Sequence, residues 1–62
     1  MTNIERLQNE LHANMEYKIA LLNTKLYREN NDLDTTEIES EIAQVTAEIK
    51  VKRAELRALL AA

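Results

Sequence analysis

The chain has 62 residues, 31% of them charged, with a net charge of −3 and no Gly, Pro, Cys, Trp or Phe. That length fits one domain at most, and a chain so short has a marginal core unless regular helix packing or self-association supports it. The lack of Cys excludes a disulfide scaffold and fits a reducing compartment, no apolar run reaches the roughly 18–20 residues of a membrane span, and net acidity argues against general nucleic-acid binding.

Met1 to Arg6 contain no basic stretch leading into an apolar core, so no secretory signal is expected and the predicted location is cytoplasmic. A first apolar series follows: Ile4, Leu7, Leu11, Met15, Ile19, Leu22 and Leu26. Its steps of three or four residues place it on one stripe of a helix at about 100° per residue, and predict a helix over about 3–30. Three consecutive steps of four make this stripe locally closer to an eleven-residue repeat than to a heptad. Tyr17 and Leu21, with Ala13, Ala20, Thr24 and Tyr27 nearby, fall outside the stripe as surplus apolar surface, and a helix apolar on more than one side is usually covered on more than one side.

Asn30-Asn31-Asp32-Leu33-Asp34-Thr35-Thr36 interrupts the pattern with side chains that favour caps and turns. A turn is predicted over about 31–35. Asn30 or Asn31 is the candidate for a left-handed C-cap, and Asp34 with Glu37 or Thr36 with Glu39 the candidate for a capping box. Leu33 continues the first stripe, so one long continuous coiled-coil helix is the alternative.

The second series is Ile38, Ile42, Val45, Ile49, Leu56 and Leu59, with Lys52 filling its gap. Its strict alternation of four and three is a heptad pattern and predicts a helix over about 36–60. Residues 4–29 and 37–62 are each 26 long, so two antiparallel helices of about 39 Å would cover one another. Charge agrees. Residues 32–48 carry six acids and no base, whereas Lys50, Lys52, Arg53 and Arg57 follow. A hairpin sets the acidic start beside Lys25 and Arg28 and the basic end beside Glu5 and Glu10.

The expected fold is therefore all-α: one domain over 1–62, a coiled-coil-like antiparallel hairpin that dimerises into a four-helix bundle. The thirteen Ile, Leu, Val and Met residues of the two series form its expected helix–helix core. Opposite the second stripe run Ala43, Ala47, Val51, Ala54 and Ala58. With Tyr17 and Leu21 they are the candidate partner or dimer face, because small side chains let another helix approach closely. In helix number and length this architecture resembles the plasmid copy-number hairpins of the ROP type. The resemblance implies dimerisation and carries over no nucleic-acid-binding residues.

Chemistry-bearing residues are few. His12 has Glu16 four residues on, but no second His or Cys completes a ligand set, and the acids around the second helix start lack the spacing of a calcium loop. No catalytic, metal or cofactor residues are expected. Lys50, Arg53 and Arg57 share a helix face and are the candidate nucleic-acid contact, although aromatic stacking partners are scarce. The end Leu60-Ala61-Ala62 resembles that of the bacterial tag directing stalled products to proteolysis. The function expected is a non-enzymatic protein–protein interaction module, an adaptor, scaffold or accessory protein of a size common in phage and plasmid genomes. The alternative is a small ROP-like regulator binding RNA or DNA through Lys50, Arg53 and Arg57.

Overall fold

A computed structural model describes residues 2–61. The chain forms α1 (Asn3–Asn30) and α2 (Thr36–Ala61), packed antiparallel in a hairpin with extents of 48 × 17 × 12 Å. Met1 and Ala62, the latter the last residue of the tag-like end, lie outside the described residues. Within the described residues no helix is long and apolar enough to cross a membrane.

α1 starts on Thr2, whose hydroxyl accepts from the Glu5 backbone N–H at 3.1 Å and donates to the Glu5 carboxylate at 3.3 Å. This supplies one of the partners that the first helical N–H groups need. It ends in a Schellman arrangement: Leu33 N–H donates to Arg28 C=O at 2.8 Å and Asp32 N–H to Glu29 C=O at 3.2 Å. The left-handed residue is Asp32, at φ 56°, rather than Asn30 or Asn31. Asn31 remains at φ −108°, and its side-chain amide donates to Tyr27 C=O at 2.7 Å. Asp can occupy this region because its short polar chain tolerates a conformation that most residues avoid.

Neither expected capping box forms at α2. The Asp34 carboxylate instead accepts from the hydroxyl of Thr36 at 2.8 Å and from its backbone N–H at 3.2 Å, spanning two residues rather than three. These two bonds, the hydroxyl first, hold the Asp34 carboxyl below its ordinary value of 3.8, with the nearby Arg28 charge adding to the effect. Arg28 also donates to the Asp34 carbonyl at 3.3 Å, across the turn. Leu33 is exposed at the turn and does not carry α1 onward. The single continuous helix is thereby excluded.

α2 packs as its pattern predicts over most of its length. Ile38, Val45 and Ile49 are buried, Ile42, Lys52 and Leu56 half-buried, and only Leu59 near the free end opens to solvent. α1 differs. Its less exposed positions are Glu10, at the edge of the interface, and a line of Ile4, Leu7, Leu11, Asn14, Lys18, Leu21, Lys25 and Arg28 that alternates three and four. The expected stripe and this seam coincide only as far as Leu11. Each four-residue step turns the stripe by about 40°, so the steps through Met15 and Ile19 carry it out of the interface. Met15, Ile19, Leu22 and Leu26 are exposed, and Leu21 takes the buried place. The main cluster is Leu21, Ile38, Val45 and Ile49, with Leu11 and Ile42 against it.

Between the helices, polar α1 residues reach across. The Asn14 amide donates to the Glu48 carboxylate at 3.4 Å, and Lys25 pairs with Glu39 at 3.3 Å. Lys18 and Lys25 are half-buried, and their long aliphatic stems can cover apolar surface at the seam. The acidic start of α2 thus meets Lys25 and Arg28. At the other end Glu10 pairs with Arg6 of its own helix at 3.2 Å.

Candidate functional site: an apolar flank edged with basic residues

The rotation of the α1 stripe out of the seam creates the most distinctive surface of the hairpin. Met15, Ile19, Leu22 and Leu26 are 40, 58, 45 and 59% exposed. They recur at steps of four, three and four, the spacing of a coiled-coil seam, about 100° round α1 from the seam that is filled. A pattern that would pack helix on helix therefore faces outward.

The floor of this flank is an open groove. Met15, Ile19 and Leu22 line one wall; Lys50, Arg53 and Arg57 line the other, together with Ala54. Lys18 and Ile49 close the bottom from the seam. The three cations that sequence spacing places on one face of α2 are in fact on one flank, directly across from the exposed apolar residues.

The opposite flank of α2 has the opposite sign. Glu41, Glu48 and Glu55 recur every seven residues. Tyr17 packs over a shallow groove with Glu41, Gln44, Val45 and Glu48. Further toward the free end Ala47 and Val51 share a groove of mixed charge with Arg6, Glu10, Glu48, Lys52 and Glu55. The hairpin thus has one flank on which α2 presents cations and another on which α2 presents mainly carboxylates.

The candidate partner face read from sequence is divided by this geometry. Leu21, 6% exposed, is in the hairpin core and offers no outer surface. Tyr17 is exposed on the acidic flank, on a different side from the Met15–Leu26 stripe. Ala43, Ala47, Val51, Ala54 and Ala58 are all exposed on α2. Ala47 and Val51 border the acidic flank and Ala54 the basic one, so the line is a ridge between two grooves. The Met15–Leu26 surface was missed because those residues read as hairpin core. The signal that could have found it was the run of four-residue steps, which a heptad seam does not contain.

His12 pairs with Glu16 at 3.0 Å, both well exposed on one helix face. Among the described residues no group of three or more His, Asp and Glu side chains is placed to hold a metal ion. No buried polar side-chain atom among them lacks a hydrogen-bond partner.

No protein-family model matches the chain. No curated protein and no solved structure matches it either.

Proposed function

We propose that the chain is a non-enzymatic protein–protein interaction module, an adaptor or assembly protein that works by presenting one helical flank to another protein. The observation that carries this reading is the outward heptad stripe Met15, Ile19, Leu22 and Leu26. Single exposed apolar residues need no explanation, but four aligned at interface spacing form a contiguous surface of the kind that marks a contact site. The basic rim of Lys50, Arg53 and Arg57 suits an acidic surface beside the apolar contact and would steer approach and register more than it adds affinity. Helical recognition of this kind needs only i, i+3, i+4 and i+7 anchors on a stiff element.

A photo-reactive amino acid at Ile19 tests the reading in cells. Protein adducts at Ile19, absent when the same probe is placed at Glu37 on the acidic start of α2, are the expected result. A probe at Ile19 that captures only RNA or DNA, or captures nothing, removes the proposal.

A second reading, binding of RNA or DNA through Lys50, Arg53 and Arg57, is favoured by their shared flank. It is the weaker of the two on two counts. Three charges give only a small counterion-release term. Tyr17, a ring that could stack on a base, sits beside Glu41 and Glu48 on the other flank. Salt-dependent RNA binding abolished by reversing all three cations would favour it.

A further inference from the structure

We infer that the occupant of the Met15–Leu26 stripe is a second copy of the chain, related by a twofold axis that crosses α1 between Ile19 and Leu22 and sets the two α1 helices antiparallel. This deepens the interaction-module reading and rests on it. Three observations support the assignment.

The first is self-complementarity. An axis between Ile19 and Leu22 exchanges these two residues and brings Met15 of each copy against Leu26 of the other. All four apolar positions then meet apolar positions with none left over. A twofold contact requires this, because the same patch must serve both partners.

The second is charge. The Asn14–Glu48 contact fixes the level of one helix against the other. Lys50 and Arg53 lie about two and five residues further toward the free end, level with His12 and Asn9 of α1. The axis carries those levels to Glu29 and Asp32 of the second copy. Each basic rim thus meets the acidic turn of its partner, twice per dimer.

The third is area. A compact folded monomer of 7.2 kDa exposes about 4,100 Å² by the usual scaling. This hairpin exposes 4750 Å². A contact that covered this surplus on both copies would remove about 1,300 Å², the lower end of stable protein interfaces. The result is a four-helix bundle in which the two α1 helices pack against each other.

The test is the mass of the purified full chain by sedimentation equilibrium, with helicity followed by circular dichroism. The expected mass is twice 7.2 kDa. Ile19→Glu is expected to halve it while keeping the helical signal, and Tyr17→Glu on the other flank to leave it unchanged. Lys50→Glu and Glu29→Lys should each weaken the dimer by about three- to tenfold, and the two together should restore it, since the swapped charges again face each other. Both positions are exposed, so neither change threatens the fold. A monomer at every concentration overturns the inference, as does a double variant that is weaker than either single one, or a dimer lost with Tyr17→Glu instead of Ile19→Glu. If the chain is monomeric while Ile19 still cross-links a different protein in cells, the second copy is excluded and the interaction module stands.

Discussion

Leu21 and Leu22 are consecutive residues with opposite surroundings: Leu21 is 6% exposed between α1 and α2, and Leu22, about 100° further round the helix, is 45% exposed on the flank. Truncating each tests the seam directly. Leu21→Ala should cost the hairpin about 2–4 kcal/mol, the range for a buried leucine. Leu22→Ala should cost less, about 1 kcal/mol in dilute samples, since nearly half of its surface stays in water within one hairpin. Thermal unfolding at low protein concentration distinguishes the two, and equal losses would mean that the seam has been assigned to the wrong face.

The turn holds a residue in a conformation that glycine adopts more easily. Asp32→Gly removes the left-handed penalty at φ 56° and should raise stability by about 0.5–1 kcal/mol, even after the added freedom of the unfolded chain is counted. Asp32→Val, branched at Cβ, should lower it by about 1–2 kcal/mol. Denaturant midpoints of the two variants, moving in opposite directions from wild type, check the assignment.

Asp34 gives the turn a pH dependence of definite sign. Its folded carboxyl ionises below the ordinary 3.8 because the ionised form accepts from the Thr36 hydroxyl and N–H. A group lowered on folding contributes fully above the unfolded value and loses its contribution as pH falls through the folded one. The difference in melting temperature between wild type and Asp34→Asn should therefore be constant above the carboxylate range and shrink below pH 3.8. A difference that grows on acidification would contradict the bonding seen at the turn.

Asn14 occupies a seam position where an apolar residue would pack. Asn14→Leu should stabilise the hairpin by about 1 kcal/mol, because Glu48 is exposed and can return to water when its partner is removed. A polar residue at a helical seam position can also fix register, so the same variant should show faster amide exchange along α1 from alternative alignments. Higher melting temperature with unchanged exchange would show that Asn14 has no part in register.

The α2 seam was legible in the sequence because its Ile and Val residues alternate four and three without exception and face one neighbour. Charge placement was legible for the same reason at the turn, where Lys25 does meet Glu39. α1 was not, because its seam and its apolar stripe are different lines. Asn14, Lys18 and Lys25 occupy seam positions with long or polar side chains, and pattern reading favours the apolar Met15, Ile19 and Leu26 one place along. Only contact with α2 decides between the two lines, and hydrophobicity alone points to the wrong one. The turn was legible as a break from its Asn, Asp and Thr content, while which residue would take positive φ depended on the exact end of α1.

The Arg28–Asp34 bond spans the shortest loop between the two helices, where closure costs the least entropy and folding is expected to start. It closes a loop of only six residues, whereas Asn14 and Glu48 are separated by 34. Once the short loop is closed, each further pairing adds only a few residues of unfastened chain, so the entropy of joining distant segments is never met all at once. Assembly then runs from the turn outward, through Lys25 with Glu39 and the Leu21–Val45 cluster, and reaches Leu7 and Leu56 last. Opening runs in reverse, with the free ends separating first and the turn holding longest. A mutation near the turn will therefore slow folding, and one near the free ends will mainly hasten unfolding.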